Sequence, residues 1–222
     1  MNRFRLRLAF TLLELLIVIA IIGVLAGIAF PAYTTAMRTA HMNAAVQSAR
    51  QIAVALRMYA NDYDGAYPQK KNSYDQDIVT SNDAFRSLIP TYLDNERVFT
   101  VPNSKAGPSA DNKMDDATQI LQTGENHWAY VCGLSSSSNS NWPLIVDHTD
   151  GSGTYTTLEN TLGGTWLGTK GVEICTDGSG HTIPLMGTGA KRYLPRFNDK
   201  TKNALLVTEY MGDGVTLLEP AH

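Results

Sequence analysis

From Thr11 to Phe30 the chain reads TLLELLIVIAIIGVLAGIAF, twenty residues in which Glu14 is the only charge. As a helix rising ~1.5 Å per residue, this stretch covers the ~30 Å hydrocarbon core of a bilayer. The flank before it, MNRFRLRLA, carries Arg3, Arg5 and Arg7 and no acid. The positive-inside rule then keeps the N-terminus cytoplasmic and sends the rest of the chain across the membrane. A cleaved secretory signal would show a shorter apolar run ending at a small-residue processing site. This run continues instead into more helical sequence. The remainder is polar enough to bring the mean hydropathy of the chain to −0.16, which excludes a polytopic membrane protein. With 18 Lys+Arg against 21 Asp+Glu the net charge is −3, so no basic excess exists to neutralise phosphates. A nucleic-acid partner is not expected.

Glu14 is the anomaly in the span. A carboxylate in an apolar helix is costly unless it finds a partner. No Lys or Arg lies between Glu14 and Arg38, so a cationic partner has to come from outside the span. The alternative is that Glu14 sits near the interface and snorkels or protonates.

Leu8-Ala9-Phe10-Thr11-Leu12-Leu13-Glu14, following a basic leader and preceding an apolar run, resembles the processing site of type IV pilins and type II secretion pseudopilins. The resemblance implies that residues 1–9 are a leader, cut between Ala9 and Phe10 by an inner-membrane prepilin peptidase. The same enzyme would N-methylate Phe10. The family usually carries Gly before the cut, so Ala9 departs from the pattern while remaining small. The resemblance also supplies the missing cation: the new α-amine of Phe10 in one subunit would pair with Glu14 of a neighbour. A buried charge pair is tolerable only with both members present. The implied product is a homopolymeric filament grown from the bacterial inner membrane by an assembly platform and its ATPase. It would end as a periplasmic or cell-surface filament.

Pro31 follows the span and, inside a helix, leaves the carbonyl of Gly27 without its donor. Gly23 and Gly27 loosen the same stretch, by about 1 kcal/mol each relative to Ala. Two readings stand: a simple proline kink, or a helix that bends or locally unwinds within the filament, as the family resemblance implies. Beyond Pro31 the residues Ala45, Ala49, Ile52, Leu56 and Tyr59 recur at spacings of four, three, four and three, one face of a helix. The spacing predicts a single helix from Phe10 to about Asp62, ended near Gly65 by a positive φ and stopped by Pro68. Residues 10–30 would be its embedded half and 31–65 its amphipathic half. Leu56–Pro68, LRMYANDYDGAYP, further resembles the helix end of the major pseudopilin.

Residues 66–222 are expected to form a globular extracytoplasmic domain. Ser81–Pro90 predicts a short helix capped by Ser81 or Asn82. His127–Leu134, Trp142–His148, Gly171–Thr176 and Asn203–Tyr210 predict strands bounded by turn residues. The expected fold is therefore α+β and pilin-like: a long helix packed on an antiparallel sheet. Asn203–Val215 distantly resembles the Asp-Gly signature near the end of some prepilin-like proteins. The upstream His of that signature is absent at the matching spacing, so it assigns no site.

Cys132 and Cys175 fall in two of these strands. In an oxidising compartment their even count favours a disulfide. Two buried free thiols, or a nucleophile at Cys132, are the alternatives. No cofactor is expected. Calcium is a possibility that the family resemblance raises for a C-terminal loop. Asp147, Asp150, Asp177, Asp199 and Asp213 sit near turns, but no EF-hand pattern occurs, and Asp serves turns without any metal. The five histidines show no HExxH, and there is no G-x-S-x-G elbow or P-loop. No catalytic residue is assigned and no enzyme is expected. The reading is a structural subunit of a type II secretion pseudopilus or type IV pilus-like filament. A surface type IV pilin for adhesion or motility is the nearest rival. A membrane-anchored extracytoplasmic enzyme or binding protein is the rival from another class.

Overall fold

The computed structural model describes residues 11–102, 104, 107–114, 116, 118–158 and 161–221. It divides into two units, residues 1–40 and 41–222. The first helix, α1, runs unbroken from Leu12 to Asp62 through Pro31. Thr34 and Thr35 donate their hydroxyls to the Pro31 carbonyl, each at 3.0 Å. The helix ends where Gly65, at φ +83°, donates its N–H to the Ala60 carbonyl at 2.7 Å.

In the unit from His41 onward, the apolar stripe becomes the core. Ala45, Ala49, Ile52 and Leu56 are fully buried and Tyr59 nearly so. They join one cluster with Phe85, Phe99, Trp128, Tyr130, Ile145 and Ile174. This packing, rather than helix propensity, holds the second half of α1 in place. Two arginines on the helix clasp the sheet: Arg50 donates to the Gly180 carbonyl and Arg57 to the Thr176 carbonyl, both at 3.0 Å. A Cβ at Gly180 would lie 2.7 Å from Ile174 and 2.9 Å from the Arg50 Nε, so a side chain here would force those neighbours to shift.

The sheet contains β1 (Trp128–Cys132), β2 (Pro143–Asp147), β4 (Lys170–Cys175), β5 (Gly180–Pro184) and β7 (Thr216–Leu218). Its order is β5-β4-β2-β1-β7, antiparallel at every pairing. A ribbon of β3 (Tyr155–Thr156) and β6 (Lys191–Arg192) stands apart. A second cluster, including Ala129, Val146, Tyr155, Leu194 and Leu205, covers the other side of the sheet. Strands β1 and β2 are thus buried at every position. That is why they read as apolar runs with imperfect alternation. The architecture is the α+β one expected: a long N-terminal helix and an antiparallel sheet.

Three expectations need correction. The short helix α2 (Ser81–Arg86) is capped by Thr80, not by Ser81 or Asn82. Thr80 and Asp83 form a reciprocal capping box, which frees Ser81 to bond the Trp128 carbonyl at 2.7 Å and Asn82 the Leu121 carbonyl at 3.0 Å. Asn203–Tyr210 is not a strand. Asn203 accepts the Leu205 N–H in a turn, and Val207–Met211 forms α3. The edge strand in that region is β7, further on. Finally, Cys132 and Cys175 are both free and buried. β2 lies between their strands, which sets the two Cα atoms roughly 9–10 Å apart at normal strand spacing. A disulfide requires them within about 7 Å.

Candidate functional site

The head of α1 is built by four residues, Thr11-Leu12-Leu13-Glu14. The Thr11 N–H donates to Glu14 Oε2 at 2.8 Å and the Thr11 hydroxyl to the same oxygen at 2.7 Å. In return the Glu14 N–H donates to Thr11 Oγ1 at 3.2 Å. This is a capping box, with Thr11 at the N-cap and Glu14 three residues on. Glu14 therefore has a partner within the span after all: a pair of hydrogen bonds, though not a cation. The signal was legible, because T-x-x-E before an apolar run is the sequence form of that box. Ala9 and Phe10, the expected cleavage and methylation positions, lie outside the described residues.

Below this head the helix presents only apolar surface. Every large apolar side chain from Leu12 to Phe30 is exposed, Val18 least at 44%. Leu16, Ile17, Ala20, Ile21, Val24 and Leu25 line a shallow apolar depression along it. A Cβ added at Gly23 or Gly27 would meet nothing within 4 Å. These glycines leave open notches rather than close contacts. The helix is long and apolar enough to cross a membrane. A surface of this kind in water is an interaction site by default.

The globular unit offers a contrasting site. Glu173, Cys175, His181 and Tyr210 line a cavity of about 270 Å³ beside the paired strands β4 and β5. Burial pushes the Glu173 carboxyl up to about 7. Burial, reinforced by Glu173, pushes the Cys175 thiol up to about 12. Cys132 is raised by burial as well, and its Sγ lies 3.5 Å from the Gln69 carbonyl. Neither sulfur is a thiolate at neutral pH, so the lowered pKa that activates a nucleophilic cysteine is missing at both. Arg196 lies over the Tyr210 ring at 4.7 Å and pairs with Glu209 at 3.0 Å.

The turn acids behave as turn acids. Asp150 accepts the Ser152 and Thr154 N–H groups, Asp177 that of Ser179, and Asp199 that of Thr201. Asp147 is fully inside, accepting the Val172 N–H at 2.7 Å, and burial raises it to about 7. His127 accepts the Val101 N–H on Nδ1 at 3.1 Å and His148 is equally buried.

The profile of the prokaryotic N-terminal methylation motif matches residues 5–30, the stretch that holds Ala9, Phe10, Glu14, Gly23 and Gly27. No curated protein and no solved structure matches the chain.

Proposed function

We infer that this chain, which carries the N-terminal methylation motif of the type IV pilin and pseudopilin family, is a structural subunit that polymerises through its first helix into a pseudopilus or a related filament. The observation that carries the reading is the apolar shaft from Leu12 to Phe30, exposed along its whole length and headed by a single acid. A shaft of that kind is stable only in lipid or among copies of itself. The subunit would wait in the bacterial inner membrane, anchored by the shaft, until the assembly platform and its ATPase draw it into the growing filament. Prepilin peptidase would first remove residues 1–9, cutting between Ala9 and Phe10 and methylating the new terminus. Loss of Arg3, Arg5 and Arg7 takes the side-chain charge from −3 to −6.

The Thr11–Glu14 box adds a step to this account. Cleavage leaves the Phe10–Thr11 peptide bond intact, so the Thr11 N–H that Glu14 accepts survives processing. The free subunit holds its carboxylate in place through Thr11. On assembly the Phe10 amine of a neighbour takes up the same carboxylate. Gly23, Gly27 and Pro31 let the shaft adjust within the packed filament. The likeness of Leu56–Pro68 to the major pseudopilin favours a secretion role over a surface pilus for adhesion or motility.

Mass spectrometry of the protein from cell envelopes tests the reading. The expected N-terminus is a singly methylated Phe10. An intact Met1 recovered from cells that express the peptidase would overturn it.

A further inference from the structure

We propose that Glu96, Asp111 and Glu125 form a binding site for a divalent cation, with calcium as the preferred ion. The three residues come from the segment between α2 and β1. None belongs to the turn acids of the C-terminal region. Their carboxylate oxygens all lie within 4.8 Å of one another. Calcium binds oxygen at about 2.3–2.6 Å, so oxygens on opposite sides of one ion are roughly 4.6–5.2 Å apart. The cluster is therefore compact enough for one ion to reach all three.

The arrangement is held from behind by the backbone. Glu96 Oε1 accepts the Leu121 N–H at 2.8 Å. Glu125 accepts the Asp111 N–H at 3.2 Å and the Gln122 N–H at 2.7 Å. Asn112, at φ +66°, accepts the Glu96 N–H on its side chain at 2.9 Å and turns the loop back over the cluster. The second observation is independent of the clustering. Glu96 has no solvent exposure, and its Oε2 has no hydrogen-bond partner. A carboxylate oxygen buried without a donor is among the most costly polar groups a fold can hold. Two further carboxyls lie beside the same side chain. Burial raises the Glu96 carboxyl and the charges of Glu125 and Asp111 raise it further, against the Leu121 and Asn112 N–H groups, which lower it.

The Lys113 ammonium lies 2.6 Å from Asp111 Oδ2. It is mostly exposed and reaches Asp111 from the solvent side, so it can yield its place. The three carboxyls together concentrate negative charge that a divalent ion would offset. The donors are all hard oxygens, with no imidazole and no thiolate among the three. That set suits calcium or magnesium over zinc, and calcium over magnesium, because three carboxylates from separate segments need not impose an octahedron. Occupied, the site would tie the 3-10 turn at Glu96–Phe99 to the loop before β1.

Calorimetric titration of the full chain in detergent, with calcium chloride and then magnesium chloride, tests the site. One saturable calcium site is expected, with Kd in the range of about 10⁻⁴–10⁻³ M typical of extracellular modules. Magnesium should bind at least ~10-fold more weakly, since it gives up its water shell reluctantly. Glu96→Gln should abolish the calcium heat. Asp111→Asn, at an exposed position whose loss leaves the core intact, should weaken binding by roughly tenfold or more, the loss of one charged ligand among three. Asp199→Asn, in a turn outside the cluster, should bind as the wild type does. The proposal is overturned if no saturable heat appears up to about 10 mM calcium, ten times the weak end of that range. It is equally overturned if Asp111→Asn and Glu96→Gln bind calcium unchanged, which would leave a proton on Glu96 as the answer to its buried oxygen.

Discussion

The two halves of α1 solve opposite problems with the same backbone. From Leu12 to Phe30 the helix is apolar on every face, and in the single chain all of that surface is open. From Met42 to Ala60 it is apolar on one stripe, and the stripe is buried while Val54 and Met58 face outward. The second half is stabilised by its own chain. The first is left for other molecules to complete. Residues in the second half should therefore register in folding measurements, and residues in the first in assembly. The one acid of the first half is the place where this division is most exposed to test.

The largest expected effect is on assembly. In the proposed filament, Glu14→Ala removes the carboxylate that would receive the neighbour's Phe10 amine, and a charge left unpaired there would weaken each addition by roughly a hundredfold or more. Filament yield after shearing should collapse while processed subunit still accumulates in the membrane. Insertion is undamaged, because the span becomes more apolar. Normal filaments from Glu14→Ala would remove the charge-pair mechanism and leave assembly to the apolar shaft alone.

The second comparison is Leu56→Ala against Ile17→Ala. Leu56 is fully buried among core side chains, so its truncation should cost about 2–5 kcal/mol in thermal or chemical unfolding of the globular unit. Ile17 is about half exposed, and its truncation should leave that unfolding unchanged. Equal effects from the two would break the division of labour along α1. Gly180→Ala belongs with Leu56, because its Cβ would collide with Ile174 and with the arginine that ties helix to sheet.

The pH dependence belongs wholly to the globular unit. Asp147 and Glu173 titrate near 4 in an unfolded chain and at about 7 when buried. Between these values the folded state holds protons that the unfolded state has lost. Their contribution is thus fully present below pH 4 and declines as pH rises to about 7. The melting temperature should be higher at pH 5 than at pH 8, by at least the ~2–4 °C that about 1 kcal/mol gives a chain of this size. Glu173→Gln should flatten the profile. A melting temperature that climbs from pH 5 to pH 8 would show that burial does not raise these two groups.

Sequence pattern carried much of this and failed at identifiable points. The stripe of Ala45, Ala49, Ile52, Leu56 and Tyr59 was readable because one helix face meets one core. β1, β2 and β4 were readable as short apolar runs. β5 was not: Gly180–Pro184 has a polar, partly exposed edge-strand composition that periodicity does not mark. Asn203–Tyr210 was misread because its apolar residues Ala204, Leu205 and Tyr210 pack on a second small core while its only β pairing is the single bridge of Asn203 to Pro195 among the described residues. The cysteines misled because an even count says nothing about the strand that came to lie between them. Glu96, Asp111 and Glu125 stand up to 29 residues apart in the chain, and no spacing rule joins them. Thr11 is legible as T-x-x-E, but matching Glu14 by charge alone does not reach a neutral partner three residues away.

That neutral partner gives the smallest and most discriminating prediction. Glu14 has two roles on this account, one within its own chain through Thr11 and one between chains. Glu14→Ala removes both and cannot separate them. Thr11→Val removes the hydroxyl from the capping box while leaving the Glu14 carboxylate and the Thr11-position N–H in place. Losing an N-cap hydroxyl costs about 1 kcal/mol at a helix start, a factor of roughly five in the equilibrium. The helix in question is anchored along some fifty residues, so the fraying stays within its first turn. Filament yield from Thr11→Val should therefore fall by no more than about fivefold. It should sit well above Glu14→Ala, with processing at Ala9–Phe10 retained. If Thr11→Val instead fails as completely as Glu14→Ala, the head of the helix matters for its shape alone. The acid would then be there to start a helix rather than to receive an amine.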